Sequence, residues 1–335
     1  MLYLTIGIDT ESDNQWSTES RLAPTYENIH ALPALDGLFQ KSGARPTYLV
    51  TYPVVTDPRS AETIRQLAAR ASCEIGAHHH VWETPPCDRE EARGLPYALQ
   101  IPLDRFEQQL AALTAAITNT TGYQPVSYRS GRYGLAAAHT ALLEKAGYLV
   151  DTSVHPLLYE SHRGGPDFVD APLTPYFLSY DSAVHAGRSS VLEVPISSAL
   201  NRSLPQWLVR AYGRAPAPYH TKRVLRLARI VKTQWLRPSY SSLDDMKHLA
   251  RRMVRANVPV LNVMFHSSEA IVGGSPYNRT QGELTAFLDR LGQFLRFAVG
   301  ELGAQPSTFR EFHTAWTARA RSDTSAAHPA TSASP

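Results

Sequence analysis

Two carboxylates one residue apart, Asp9 and Glu11 in "IGIDTESD", and three consecutive histidines, His78 to His80 in "EIGAHHHVW", are the residues best able to do chemistry. Each set follows a short apolar run, as do Arg129 in "VSYRSG", Asp151 in "LVDTSV" and His266 in "VMFHSS". A carboxylate and two imidazoles suit Zn²⁺ or another first-row divalent ion, with positions left open for water and substrate. Along an extended chain alternate side chains share a face, so His78 and His80 can point to one side while His79 points away. Each residue taken singly has a plain structural alternative. The histidine run reads as a polar loop, "DTESD" as an acidic turn or helix start, and Asp151 as a turn or cap residue; Arg129 reads as an ion-pair partner and His266 as a satisfied core histidine. Their common position at the ends of strand-like runs argues for one site.

Those runs are the elements that must do the positioning. Residues 2–8, 46–52, 73–78, 126–130, 148–154, 191–196 and 260–266 are short, apolar and rich in β-branched residues, which predicts about seven strands. Helical patterns lie between them. "ENIHALPALDGLFQKSG" is interrupted early by Pro33, whereas "LDRFEQQLAALTAAITNTTG" and "LAAAHTALLEKAG" are better helix formers with glycine stops. The alternation predicts a parallel α/β protein, and periodicity alone leaves an open doubly wound sheet and a closed barrel both standing. In a barrel the C-terminal strand ends share the face on which active sites assemble.

Composition narrows the class. The chain has 335 residues, 43% hydrophobic and 19% charged, as expected of an enzyme-sized globular protein. It has no apolar run of membrane-spanning length, and its N-terminus lacks a basic region and a cleavage site, so a cytoplasmic protein is expected. Cys73 and Cys87 form no C-x-x-C pair, which argues against a disulfide framework and a cysteine zinc site. Net charge is +3, but residues 202–237 hold nine Lys/Arg and no Asp/Glu. Within that segment Val224, Leu227, Ile230 and Val231 recur at helical spacing, with Trp207 and Trp235 nearby. It reads either as a helix with a solvated basic face or as a basic amphipathic helix for an anionic membrane surface. No nucleic-acid recognition motif accompanies it. Residues 318–335, small and polar, are expected to form a disordered tail.

In order along the chain, "IGIDTESD", "EIGAHHHVW", "SYRSGRYG", "DTSVHP" and "LNVMFHSSE" resemble the five motifs of the polysaccharide deacetylase family, the NodB-homology or carbohydrate esterase family 4 group. "AHHHVWETPP" and "MFHSSEAIVGGSPYNRT" look like a bacterial subgroup named after the WalW polysaccharide deacetylase and associated with surface-glycan synthesis. The resemblance runs from about residue 4 to 270. It implies a distorted (β/α) barrel of about seven parallel strands, here a single catalytic domain over 1–317 with a basic insertion at about 201–240. The implied activity is metal-dependent removal of an N-acetyl group from a sugar of a surface polysaccharide or lipid-linked glycan precursor.

The resemblance also implies roles. Asp9 is the base, and Glu11, His78 and His80 hold a divalent ion, zinc with cobalt, nickel or iron as alternatives. Arg129 keeps Asp9 ionised and oriented, His266 protonates the departing nitrogen, and Asp151 orients His266 or Arg129. Two features depart from the family pattern. Thr10 separates two acids that are usually adjacent, so Asp9 and Glu11 could exchange roles. Trp82 and Glu83 stand where the second histidine is usual, which makes His80 its substitute. An amidohydrolase acting on a small non-sugar amide, with or without metal, and a non-catalytic glycan- or membrane-binding barrel are the alternatives.

Overall fold

The computed structural model describes residues 1–88, 90–215 and 231–327. Its main sheet has nine strands. They are β1 (Tyr3–Thr10), β2 (Pro46–Val50), β3 (Glu74–His79), β4 (Ser127–Ser130), β5 (Val150–Asp151), β6 (Tyr176–Phe177), β7 (Leu192–Glu193), β10 (Val260–His266) and β11 (Gln305–Pro306). Their order is β10-β1-β2-β3-β4-β5-β7-β6, with β11 beside β1. Every pairing is parallel except that of β6 with β7. β8 (Ser198–Leu200) and β9 (Thr233–Trp235) form a separate antiparallel pair.

Each expected strand is present, although β5 and β7 shrink to two residues. The sheet curls without closing, a distorted (β/α) barrel. Across its seam Asn262 of β10 donates from its side-chain amide to Thr152 Oγ1 at 2.9 Å and to the Val194 carbonyl at 3.0 Å. Polar bonds there stand in for a missing strand pairing.

Strand alternation divides the core in two. Leu4, Ile6, Ile8, Tyr48, Val50, Ile75, Ala77 and Tyr128 pack outward into one cluster with the helices. The opposite parity turns inward, where Leu49, Val150, Leu192, Val194 and Val260 meet Phe309 and Phe312. Those two phenylalanines begin the helix Phe309–Ala327, which packs on the interior cluster. That helix extends into the segment expected to be a tail, and 328–335 lie outside the described residues. Helix Leu103–Thr121 stops at Gly122, whose φ of 82° suits a residue without Cβ. Pro33 splits its segment into helix Glu27–Ala31, a tight 3₁₀ turn Leu32–Leu35, and helix Asp36–Ser42.

The amphipathic helix expected around Val224, Leu227 and Ile230 lies outside the described residues. Of the flanking basic residues, Arg210 and Arg214 pair with Asp170 and Asp167, and Lys232 pairs with Asp245. Trp235 is buried, while Trp207 is 68% exposed. Among the described residues no helix is long and apolar enough to cross a membrane.

One stability consequence follows from a histidine outside the site. His139 stacks on Phe106 with centroids 4.0 Å apart, and its Nδ1 accepts from the Ala136 N–H at 3.2 Å. Burial lowers its pKa from 6.5 to about 4. The unfolded chain therefore takes up this proton first, so the stabilisation is intact above about pH 6.5 and lost as pH falls toward 4. Urea midpoints should decline across that window, and His139→Gln should flatten the decline by the share of one proton.

Candidate active site

Strand register brings the sequence-predicted residues together. Asp9 lies opposite His266 in the β1–β10 pairing, and His78 lies opposite Arg129 in the β3–β4 pairing. In-register neighbours on parallel strands point to the same face. Glu11 and His80 follow their partners by two residues and keep that parity. All six side chains meet at the C-terminal strand ends, in or beneath a cleft of about 370 Å³ also lined by Trp16, Trp82, Tyr97, Arg132, Glu160 and Arg237.

Glu11, His78 and His80 offer one oxygen and two nitrogens within 4.8 Å of one another. The His78 Nδ1–H donates to the Arg129 carbonyl at 3.1 Å, and the His80 Nδ1–H donates to Glu83 Oε1 at 2.8 Å. Both rings thus turn an Nε2 lone pair inward, and the two nitrogens lie 2.9 Å apart. Lone pairs that close repel unless a proton or cation lies between them. Glu11 Oε2 is 3.7 Å from His78 Nε2 and 3.4 Å from His80 Nε2. Burial, followed by the charges of Asp9 and Glu83, pushes the Glu11 carboxyl well above its usual pKa, a penalty that a cation offsets. Burial also holds His78 neutral, with a pKa of about 3. A neutral imidazole pair with outer hydrogen bonds fixing the tautomers, plus a carboxylate, fits a divalent first-row ion.

His79 faces away as its parity requires. Its Nδ1 meets the Tyr128 hydroxyl at 3.1 Å and its Nε2 meets Gln109 Oε1 at 2.8 Å, so it ties β3 to helix Leu103–Thr121.

Two supported pairs flank the Glu11, His78 and His80 cluster. Arg129, fully buried, donates to Asp9 Oδ1 at 2.5 Å and to the Thr152 carbonyl at 3.0 Å. Burial alone would raise the Asp9 pKa, but Arg129, with His78 and His266, brings it down to about 2. Gly7 makes room for this guanidinium, since a Cβ there would sit 2.5 Å from Arg129 Nη2. His266 Nε2 is 3.8 Å from Asp9 Oδ2, while its Nδ1–H donates to Glu269 Oε1 at 2.8 Å. Arg237 Nη2 lies 3.0 Å from the same ring nitrogen and is ion-paired with Glu269. Burial works against the Glu269 charge, yet Arg237 and His266 bring its pKa to about 2.

Asp151 is not in this set. Its partners are the Ser153 N–H at 2.8 Å, the Ser153 hydroxyl at 2.9 Å and the buried carboxyl of Glu193. Among the described residues no hydrogen bond joins it to His266 or Arg129. The reason is parity: Asp151 is in register with Tyr128, so it takes the face opposite Arg129. The contacts to His266 expected of Asp151 are made instead by Glu269 and Arg237, which sequence reasoning missed. Glu269 stands three residues after His266 within the quoted motif, and Arg237 closes the basic segment, so both carried a signal.

Glu83, read in sequence as a gap where a histidine is usual, is the carboxylate behind His80. Gln15 Nε2 donates to it at 3.1 Å. Glu83→Gln should weaken metal affinity by about 10- to 100-fold while the fold persists, as read by competition with a metal-sensitive dye.

No family model matches the chain, and no curated protein does. Among solved structures it is similar to a Mycobacterium smegmatis protein assigned as a polysaccharide deacetylase, at 17% identity and a TM-score of 0.54, over 95% of this chain and 91% of that one. A Parabacteroides distasonis protein assigned as a glycoside hydrolase/deacetylase aligns at 14% identity and a TM-score of 0.63, over 94% of this chain and 70% of that one. Puue allantoinase aligns at 14% identity and a TM-score of 0.52, over 95% of this chain and 90% of that one. At such identities the likeness is one of fold.

Proposed function

We propose that the protein is a metal-dependent carbohydrate deacetylase that hydrolyses an N-acetyl group on a sugar of a bacterial surface polysaccharide or lipid-linked glycan precursor. One observation carries the reading: two imidazoles whose Nδ1 atoms are committed elsewhere turn their Nε2 atoms toward one carboxylate, between Asp9 and His266. The fold shared with proteins assigned as deacetylases supports it. Glu11, His78 and His80 would hold the divalent ion, zinc or a first-row neighbour, which when bound supplies Lewis acidity toward a carbonyl and toward water.

The remaining steps belong to side chains. Asp9, kept ionised by Arg129, accepts the proton of the attacking water as the new carbon–oxygen bond forms. Arg129 fixes the direction of that carboxylate. As the carbon–nitrogen bond breaks, His266 gives a proton from Nε2 to the departing sugar nitrogen, and Glu269 stabilises the imidazolium through Nδ1. Acetate and a free amino sugar result. Trp16, whose ring lies edge-on to His266 at 5.0 Å, covers the imidazole on the cleft side.

A second reading is favoured by the likeness to an allantoinase: the same set would hydrolyse a small non-sugar amide. The discriminating experiment loads the protein with each first-row ion and measures acetate release from acetylated sugars against ammonia or amine release from small amides. Acetate from sugars supports the first reading, and turnover of small amides alone replaces it with the second. For a lipid-linked substrate the protein would work in the cytoplasm at the inner membrane face, with exposed basic residues of 201–240, and not the buried Arg237, toward anionic headgroups. Salt-insensitive failure to cosediment with anionic liposomes would remove that form of the substrate.

A further inference from the structure

Charges on the wall of the catalytic cleft do not balance. Asp9 is paired with Arg129, Glu269 with Arg237, and Glu160 has Arg163 at 4.0 Å, while Glu11 belongs to the ion-binding set. Two further guanidiniums line the same cleft, those of Arg21 and Arg132. Among the described residues neither is ion-paired with a carboxylate, and the acceptors they bond are neutral.

Both are held in place. Arg21 donates from Nε to the Ala92 carbonyl at 2.7 Å, from Nη1 to the Gln15 carbonyl at 2.6 Å and from Nη2 to Thr18 Oγ1 at 2.9 Å. Arg132 lies over the Tyr97 ring, 3.8 Å from its centroid, and donates to the Leu95 carbonyl and, at 2.7 Å, to the Tyr97 hydroxyl. A guanidinium carries more N–H donors than either set of bonds uses. The backbone accepts strain to hold Arg132 there: Leu95, Arg132 and Tyr133 have φ of 50°, 52° and 62°, in the left-handed region that side chains disfavour. Such residues persist where their surroundings over-determine them, and they cluster at ligand sites.

Two partly buried like charges on one wall repel each other, and a bound anion would offset that cost. The repulsion is visible in Arg21, whose pKa is lowered by burial first and by the charge of Arg132 second. Carboxylate and phosphate both match the planar fork of a guanidinium, and charge-assisted bonds to them are about twice as strong as bonds to a neutral hydroxyl. The one competing acid on this wall, Glu160, is occupied by the Tyr97 hydroxyl at 3.2 Å and by Arg163.

We propose that the cleft takes an anionic substrate: the molecule whose amide is hydrolysed also carries a carboxylate or a phosphate, and Arg21 and Arg132 bind that group. The proposal rests on the amide-hydrolysing reading of the cleft and narrows it, since neither an acetylated sugar nor a small amide need be charged. The two arginines select the substrate by its charge and take no part in the bond changes.

The test compares kcat/KM for N-acetylglucosamine, its 6-phosphate, its 1-phosphate and the corresponding N-acetylated uronic acid, with wild type, Arg132→Gln and Arg132→Lys loaded with the same first-row ion. Wild type should prefer a charged sugar over the neutral one, and the sugar preferred tells phosphate from carboxylate. Arg132→Gln should cut that preference about 10- to 100-fold, mainly through KM, and Arg132→Lys should keep more of it. Because Arg132 also ties down the Leu95 carbonyl, Arg21→Gln serves as a second variant and should lower the same ratio. Equal use of charged and neutral sugars by wild type, or a preference unmoved in both glutamine variants, overturns the anion site. If wild type hydrolyses none of the four, the carbohydrate reading fails, and calorimetric titration with the charged sugars then decides the anion site separately. Binding weakened in the glutamine variants retains it, and no binding by wild type, or equal binding by all, overturns it.

Discussion

Replacing Asp9 with asparagine is expected to lower turnover by about 10²- to 10⁴-fold and to leave bound metal at the wild-type level. Asparagine keeps an oxygen for the Arg129 guanidinium but cannot take the proton of the attacking water. Asp9 stands outside the Glu11, His78 and His80 set, and its Oδ2 is 3.9 Å from His78 Nε2. Measuring kcat and metal stoichiometry on the same sample checks both halves. Loss of metal in Asp9→Asn, with metal retained in Glu11→Gln, would mean that the two acids exchange roles.

The second large effect is on the fold itself. Arg129→Met should destabilise the protein by about 3–5 kcal/mol, read from urea unfolding at neutral pH. Arg129 is fully buried and its partner Asp9 nearly so, with side-chain exposures of 0% and 3%. Removing the cation strands a carboxylate that is almost wholly withdrawn from solvent. The thioether fills most of the vacated volume, which isolates the electrostatic loss from a cavity effect. Asp9→Asn should cost much less, because it leaves Arg129 an acceptor. If Arg129→Met and Asp9→Asn prove equally mild, and their effects add in the double variant, the two groups are not coupled as the geometry requires.

The contrast between Asp9 and Asp151 shows what the sequence could and could not convey. Both acids end short apolar runs, and periodicity treats them alike. Asp9 comes at the end of an eight-residue strand whose alternation is plain, so its face is predictable. Asp151 is in a two-residue strand, too short for alternation to declare a face, and its register with Tyr128 turns it away. His78 and His80 were legible for the opposite reason: side-chain parity holds whether the strand ends at His79 or one residue later.

Partners from separate segments were less visible. Glu83 reads as a departure from a motif, and only the folded loop brings its carboxylate to His80 Nδ1. Arg237 reads as one more charge in a basic stretch, yet the chain after β9 carries it under His266. The parallel α/β class was legible from the strand and helix alternation and the distorted barrel only through the family resemblance, whereas the seam was legible from neither. The seam is bridged by scattered bonds that no strand pattern announces, among them the Asn262 side chain reaching Thr152 and Val194 and the Asn262 N–H donating to the Ser197 hydroxyl.

The central claim is that Glu11, His78 and His80 hold a divalent ion at the foot of the cleft. Metal content by mass spectrometry on untagged protein tests it most directly, comparing wild type with His78→Ala, His80→Ala and the control His139→Gln. The account predicts one equivalent of zinc, cobalt, nickel or iron in wild type and in the control, and its loss from both ligand variants. No metal in wild type after adding back each ion, or equal metal in wild type and His78→Ala, would contradict it.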